Sequence, residues 1–171
     1  RNCNLNESLI RSEGIYDVLD HATPTCGFGG KVALDLTAEA KSERKSTFDR
    51  TALPSGVETS DELLEEWSAL ILFADNESEL NFEQIAKAAD CNFVVVFDRR
   101  AQEMTAQELL WLGAANTEPS RDFELHGSTL VVDARAKLPN TNSKNPSRWP
   151  NVVTADDATI ALVDKRWSEY G

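Results

Sequence analysis

Short apolar segments alternate with capped helical segments along the second half of this chain, and this order limits the fold more than any other feature. Residues 69–74 are continuously apolar, and two further segments follow them: 92–97, which is apolar after Asn92, and 130–132. Continuous apolar runs of this length are typical of strands that are covered on both faces. The pattern predicts an α/β fold, a layered domain with a mostly parallel or mixed sheet, flanking helices and right-handed crossovers.

Three residue pairs with capping-box spacing mark the helix starts between these strands. The pairs are Thr59 with Glu62, Asn81 with Gln84, and Thr105 with Glu108. They predict helices over about 60–67, over about 81–89 and after residue 105.

A last helix is predicted after Thr154 or Asp156, with Ile160, Val163 and Trp167 on its buried face. The chain has four tryptophans, and Trp67, Trp111 and Trp167 fall on predicted helices. Core packing or a subunit interface is the first expectation for such residues, and Trp149 and Trp167 are the interface candidates.

The first third of the chain is less regular. We expect an irregular segment over 1–14, a short strand or turn over 15–20 and a loop over 21–30, which is rich in Thr, Pro and Gly. A short strand is expected over 32–36, followed over 37–59 by a short helix and a loop.

A motif of glycine, apolar run and aspartate occurs twice, at residues 29–35 and 127–133. A repeat of this kind suggests one supersecondary unit used twice. The second copy follows a full strand and helix, whereas the first has little chain before it, and the sequence opens on Arg1. We therefore expect residues 1–171 to be a single domain, the carboxyl-terminal part of a larger chain with two copies of one strand motif.

The net charge and the cysteine content argue against several classes of function. The net charge of −12 argues against binding to nucleic acid or to an anionic membrane surface. Three cysteines with no paired spacing imply no disulfide framework and favour the cytoplasm. No segment is long and apolar enough to predict a membrane span.

The glycine-rich segment 26–31 resembles a phosphate-binding loop only in part. Lys31 is followed by Val32 and a predicted strand, whereas a P-loop continues with Ser or Thr and a helix. A tight turn into a strand is the favoured interpretation. A metal site on Asp20, His21 and Cys26 has too few ligands, and a hydrogen-bonded His21 is favoured. A thiol nucleophile at Cys26 beside His21 is a third, weaker functional hypothesis.

Asp98, Arg99 and Arg100 follow the second apolar strand, at the edge where α/β sheets bind ligands. A solvated turn is the favoured alternative. The acidic pairs Glu65–Glu66 and Asp156–Asp157 have no context that would raise their pKa, and acids at a helix start complement its dipole.

Several ordered motifs together resemble the carboxyl-terminal region of UbiD-type decarboxylases, whose pattern runs "LW…A…P.RD…G…(I/V)DA" and later "WP…V…VD.rW". The matching stretches are 108–115, 117–122, 127–134, 148–152 and 163–167, with an earlier match at 18–22 and 27–31. Residues 36–68 match nothing in the family. The chain also departs from the family at Ser128-Thr129-Leu130, where members often carry Lys or Arg and Met. It departs again at Asp35-Leu36-Thr37 and Asp133-Ala134-Arg135, where the family reads "DAT".

The resemblance implies a carboxyl-terminal domain that mediates homo-oligomerisation, as a homodimer or larger, and closes over the active site of a flavin-binding domain. Such enzymes decarboxylate aromatic or α,β-unsaturated acids with prenylated FMN, a metal ion and potassium, some of them in ubiquinone or menaquinone biosynthesis. The catalytic acidic motif has no counterpart here, so no catalytic, cofactor-binding or metal-binding residue carries over. The candidates for a loop near the parent's active site are His21, Gly27, Gly29, Gly30 and Lys31.

A second hypothesis from a different class is a stand-alone α/β module that binds a small ligand. It would use the sheet edge at Asp98–Arg100 or the loop at Gly27–Gly30. A ligand that raises the melting temperature of the isolated chain would distinguish it from a domain that only packs and associates.

Overall fold

The computed structural model describes residues 9–17, as backbone alone, together with residues 22–23, 27–35, 46–137 and 155–170. Its strands are β1 (Leu9–Asp17), β2 (Gly27–Leu34), β3 (Thr47–Phe48), β4 (Glu58–Ser60), β5 (Ala69–Ala74), β6 (Ala89–Asp90), β7 (Phe93–Asp98), β8 (Phe123–His126) and β9 (Thr129–Asp133). Its α-helices are α1 (Asp61–Trp67), α2 (Phe82–Ala88), α3 (Ala106–Ala115), α4 (Pro119–Asp122) and α5 (Asp157–Arg166). Short 3-10 turns lie at Arg50–Ala52, Arg99–Ala101 and Trp167–Glu169.

Five strands form the central sheet in the order β4-β5-β7-β9-β8. The inner strands β5, β7 and β9 are parallel, and Val94 of β7 lies beside Leu70 on one side and Val131 on the other. The edge strands β4 and β8 are antiparallel to their neighbours. The predicted α/β class with a mixed sheet and flanking helices is therefore confirmed. Separately, β1 pairs with β2, and β3 with β6, as small antiparallel sheets.

Alternate residues of the inner strands supply two cores, one on each face of the sheet. On one face, Leu70, Leu72, Val94 and Val96 pack with Ile85 of α2. On the other face, the core members are Ala69, Ile71, Phe73, Phe97, Ala101, Leu109 and Ala134, with Leu63, Trp67 and Leu112 packed against them. The period of two along each strand produces this division, and burial on both faces explains why these strands read as continuous apolar runs.

The predicted helix starts are close to the observed ones. The Thr105 hydroxyl accepts from the Glu108 backbone N–H, and the Glu108 carboxylate accepts from the Thr105 N–H, which completes a capping box. Asn81 caps α2, as predicted. Ser60, one residue later than predicted, caps α1 through Leu63.

Pairing between distant strands overturns the local predictions near the start of the chain. Residues 9–14, expected to be irregular, belong to β1, and residues 27–30, expected to be loop, belong to β2. Each of these two strands provides the backbone hydrogen-bond partners of the other, and a local sequence pattern does not reveal such pairing. Of the three glycines in β2, only Gly27 has a positive φ, at 84°, so the predicted turn geometry is limited to the first residue of the strand.

The hairpin of β8 and β9 was not predicted, although the sequence contains a signal for it. Only Gly127 and Ser128 separate the two strands, and Gly127 has a φ of 60° while Ser128 has no positive φ. A Gly-Ser pair with this geometry is typical of a two-residue hairpin turn. The first copy of the repeated motif lies in β2, which pairs antiparallel to β1. The second copy begins in the turn and continues through β9, which pairs antiparallel to β8.

The predicted burial of the last helix is wrong. Asp156 caps α5, as one of the two predicted caps, but Ile160 and Trp167 are exposed and Val163 is only half-buried. Trp111 is also exposed, whereas Trp67 is half-buried against the core. Helical periodicity identifies an apolar face but does not supply the surface that covers it. The interface candidate Trp149, like residues 36–45 and the proposed cap Thr154, lies outside the described residues.

Candidate functional site

A cluster of buried charged side chains joins four segments that are distant in the sequence. We call it the polar junction; its members are Glu118, Arg121, Asp122, Asp133, Arg135 and Lys137. Three carboxylates face three cations, so the formal charges of the cluster cancel at neutral pH. Buried charges are tolerated when they are paired and hydrogen-bonded in this way.

Glu118 connects α4 to the hairpin of β1 and β2. Its side chain accepts a hydrogen bond from the Gly30 backbone N–H at 2.6 Å through Oε1. Through Oε2 it accepts from the Arg121 N–H at 3.0 Å and from the Ser120 hydroxyl. Glu118 is therefore the cap of α4 and also the partner of a strand 88 residues away in the sequence.

Arg121 and Asp122 form the most enclosed ion pair in the described residues. The guanidinium donates through Nε and Nη2 to the two oxygens of Asp122, both at 2.6 Å, which is the bidentate geometry of strong arginine–carboxylate pairs. Arg121 Nη1 donates to the Ala22 carbonyl at 2.7 Å. Asp122 also accepts from the Glu118 backbone N–H at 2.8 Å. The pair thus ties α4 to the short described segment at Ala22.

Residues beyond the end of β9 complete the cluster. Arg135 forms a bidentate contact with Asp133 at 2.9 and 3.0 Å and donates to the carbonyls of Asp75 and Ser78. Lys137 Nζ donates to the Asp133 and Arg135 carbonyls at 2.8 and 2.7 Å. It also lies 3.6 Å from Asp122 Oδ1 and 3.5 Å from Asp133 Oδ1.

Burial and charge oppose each other at two of these groups. Burial acts to raise the pKa of Asp133, but hydrogen bonds from Arg135 and the charge of Lys137 hold it below its ordinary value of 3.8. Burial lowers the pKa of Lys137 below 10.5, although Asp133 and Asp122 act in the opposite direction. Since every member of the junction is engaged by other groups of the chain, its arrangement is suited to holding these four segments together.

An apolar cavity of about 680 Å³ lies on the sheet face that carries α3, between that helix and β2. We call it the open groove. Its floor includes Phe93, Val95, Leu130 and Val132 from the sheet, and its walls include Leu110 and Gly113 of α3 and residues 30–34 of β2. Gly30 and Pro119 also line it, so the groove borders the polar junction.

The structure brings some predicted site residues to this region and separates others. Gly30 lies against Glu118, and both Gly30 and Lys31 line the open groove. Gly27 and Gly29 belong to the same strand, so these four candidates are strand residues and not the predicted loop. His21 and Cys26 lie outside the described residues, so the metal and thiol hypotheses stay predictions.

Two of the three candidate residues at the sheet edge, Asp98 and Arg99, are engaged by internal contacts. Asp98 is buried and accepts from the Ala136 N–H at 2.9 Å. Arg99 pairs with Asp75 and Glu58 and donates to the Gly56 carbonyl at 2.6 Å. These contacts stabilise the turn after β7 and engage Asp98 and Arg99, whereas the Arg100 side chain is 72% exposed and lies 3.6 Å from Asp98.

The junction residues Glu118, Arg135 and Lys137 were not singled out from sequence. Glutamate is an unusual helix cap, so Glu118 carried no capping signal. Pro119 at the first helical position, where proline is favoured, was the available indication.

The polar junction is not suited to the phosphate of prenylated FMN. The cations of the junction are already engaged by Asp122 and Asp133, and its three carboxylates would repel a flavin phosphate. No group of three or more His, Cys, Asp or Glu in the described part of the chain is placed to hold a metal ion. Among the helices described, none combines the length and apolar character needed to cross a bilayer.

Comparison with known proteins finds limited similarity. No protein-family model matches the chain. An uncharacterized protein of Aeropyrum pernix is 28% identical over 95 residues, which cover 46% of this chain and 19% of that protein. The vanillic acid decarboxylase of Sedimentibacter hydroxybenzoicus, in its open form, overlaps 59% of this chain and 26% of its own at 13% identity, with a TM-score of 0.41. Both structural values are too low to establish a common fold or function. The chain thus spans about a fifth to a quarter of the length of the proteins it matches.

Proposed function

We propose that this chain is the carboxyl-terminal domain of a UbiD-like decarboxylase, in which it associates with a second copy and closes over the flavin domain. The supporting observation is the polar junction. It contacts Ala22 and Gly30 and is built from residues of the segments 118–122 and 133–137; apart from Arg135 and Lys137, these residues lie in the stretches whose motifs resemble the family. A shared role in one buried cluster gives a physical reason for those motifs to occur together.

On this proposal the chain does not decarboxylate alone. The parent would hold prenylated FMN, a metal ion and potassium in its flavin-binding domain and remove a carboxyl group from an aromatic or α,β-unsaturated acid, with quinone biosynthesis as one setting. The junction would keep the β1–β2 hairpin fixed against α4. Residues 27–31, next to that contact, would be the part nearest to the flavin domain.

The proposal is tested on the native gene product. An immunoblot with an antibody against this chain should give a band well above 18.9 kDa. The purified product should carry a flavin and release CO₂ from one of a panel of aromatic and α,β-unsaturated acids. A flavin-free band at 18.9 kDa would contradict the proposal.

A stand-alone small-ligand module is the second candidate, and the open groove favours it. A cavity of about 680 Å³ with apolar walls is within the size range of small-molecule sites. A hydrophobic compound that raises the melting temperature of the chain, with a shift that grows with the logarithm of its concentration above the Kd, would support this alternative. Val132→Asp places a charge in the floor of the groove and should abolish that shift in melting temperature.

A further inference from the structure

The open groove leaves one face of the central strand incompletely covered. Val94 and Val96 of β7, which pack on the α2 side of the sheet, are fully buried. Phe93 and Val95 of the same strand line the groove and are only half-buried. The inner strands of a parallel sheet are normally covered on both faces, so this surface is unusually accessible for its position. Aromatic rings, which offer a large apolar contact area, contribute much of it, namely Trp67, Phe93, Phe97 and Phe123.

The groove is elongated, because consecutive residues of β2 line it. Residues 30–34 all contribute to this wall. Extended backbone rises about 3.3 Å per residue, so the wall is roughly 13 Å long. Lys31 lies near one end of it and Leu34 at the other. A ligand that lies along the wall therefore has a charged residue near one of its ends and an apolar residue near the other.

The charges around the groove favour a ligand with one negative group. Lys31 is the one charged side chain among the described residues that line the groove. No acidic residue is in that lining, although acidic residues outnumber basic ones by 29 to 17 in the whole sequence. The buried carboxylate of Glu118 lies beside Gly30, but it is engaged by the Gly30 and Arg121 N–H groups. The groove is thus an apolar surface with a single positive end.

Gly113 keeps the α3 wall of the groove low, and packing within the chain does not require a glycine at this position. An added Cβ would lie 3.5 Å from the Phe97 ring, which is an ordinary van der Waals contact. Gly113 also has no positive φ. Glycine inside a helix is less stable than alanine, and close approach of a ligand to the backbone is one reason for a glycine.

We infer that the open groove binds an elongated amphiphile with one acidic group, of the class of medium-chain fatty acids. The apolar chain lies over Phe93 and Val95, and the carboxylate pairs with the Lys31 ammonium. The volume of about 680 Å³ is ordinary for a small-molecule site. This inference rests on the small-ligand candidate of the proposed function and names its ligand class, and it is independent of the decarboxylase parent.

Two fluorescent probes that share one aromatic body test the role of the charge. Anilinonaphthalene sulfonate is an anion, and phenylnaphthylamine is its neutral counterpart. Both are titrated into the 171-residue chain. Lys31→Gln should raise the Kd of the anionic probe about threefold to fivefold and leave that of the neutral probe within about 1.5-fold. Lys31→Arg, which keeps the charge, and the control Lys165→Gln on α5 should both match the unmodified chain.

Competition extends the test to the inferred ligand class. Decanoate and decanol should both displace the neutral probe from the unmodified chain. Lys31→Gln should weaken competition by decanoate about threefold to fivefold and leave that by decanol unchanged. Equal losses for the acid and the alcohol would overturn the assignment of the acidic end to Lys31.

Substitutions at Gly113 test whether the probes occupy the groove. Gly113→Leu fills the groove from α3 and should raise the Kd of both probes at least about tenfold. Far-UV circular dichroism checks that this variant is folded. If it is not, Gly113→Ala decides, because its methyl group fits against Phe97 and should raise the urea midpoint while weakening both probes.

The remaining outcomes separate the inference from the candidate function on which it rests. If Gly113→Leu weakens both probes but Lys31→Gln affects them equally, the inference is wrong and the small-ligand candidate stands. If both probes bind and no Gly113 variant changes their Kd, they bind elsewhere and the inference is wrong. If neither probe nor decanoate binds the unmodified chain, the inference and the small-ligand candidate both fail.

Discussion

Glu118 illustrates how a single buried carboxylate can connect distant parts of a fold. It is 2% exposed and accepts hydrogen bonds from Gly30, Ser120 and Arg121. Hydrogen bonds to a charged acceptor are the stronger kind, and a buried donor left unpaired costs more than an ordinary bond contributes.

Glu118→Ala should therefore lower the free energy of unfolding by about 2–4 kcal/mol, because it leaves the Gly30 N–H and the first turn of α4 without their acceptor. Urea denaturation followed by far-UV circular dichroism measures the change. Glu103→Ala removes an exposed glutamate from a turn and should change stability by less than about 0.5 kcal/mol. Equal stabilities for the two variants would mean that Glu118 does not hold β2 in place.

Asp133 should contribute to the acid sensitivity of the fold. Its pKa in the folded chain lies below 3.8, because the contributions of Arg135 and Lys137 exceed that of burial. A carboxyl with a depressed folded pKa stabilises the protein above its unfolded pKa, and this stability is lost as pH falls below about 3.8 and through the folded pKa.

Asp133→Asn should thus cost about 1.5–3 kcal/mol at pH 7 and less in strong acid, which flattens the loss of stability below pH 4. Urea midpoints measured from pH 7 to pH 3 test this. The exposed Asp164→Asn is the control and should reproduce the unmodified pH profile. A variant whose midpoint falls with pH as steeply as that of the unmodified chain would argue against this role.

At the scale of secondary-structure elements, α3 depends on its first turn. Thr105 and Glu108 form a reciprocal capping box, and the Thr105 N–H and hydroxyl lower the pKa of Glu108 below 4.5. This helix also forms one wall of the open groove, so its start affects both the core and the exposed surface.

Thr105→Ala should destabilise the chain by about 1 kcal/mol, since the first turn loses its side-chain acceptor. Thr105→Ser retains the hydroxyl and should remain close to the unmodified chain. Chemical denaturation of both variants is sufficient, and an alanine variant as stable as the serine variant would indicate that the box contributes nothing measurable.

For the whole molecule, local stability should follow the layering of the fold. The amides of β5, β7 and β9 lie in the centre of the sheet between two cores and should exchange most slowly. Helix α5 has no buried residue, so in a single copy its amides should exchange quickly.

Hydrogen exchange at several protein concentrations should accordingly show protection of residues 157–166 that increases with concentration, because the association in the proposed function would cover exposed apolar surface of this kind. Helix α2, which packs on the sheet within one copy, should be protected equally at all concentrations. Protection of α5 that is high and independent of concentration would indicate that it packs within its own copy.

The sequence by itself determined two kinds of element: helices that begin at a side-chain cap, and strands that are buried on both faces of the sheet. The runs of β5 and β7 and the caps of α2 and α3 could be read from residue type and spacing, because apolar composition and capping chemistry act over a few residues. Only the tertiary structure decided the rest. Residues 9–14 and 27–30 became parts of strands because β1 and β2 pair with each other, and Glu118 became a central contact because Gly30 lies beside it. Those interactions join residues far apart in the chain, so no local pattern contains them. The same holds for α5, whose periodicity defines an apolar stripe but not the surface that receives it.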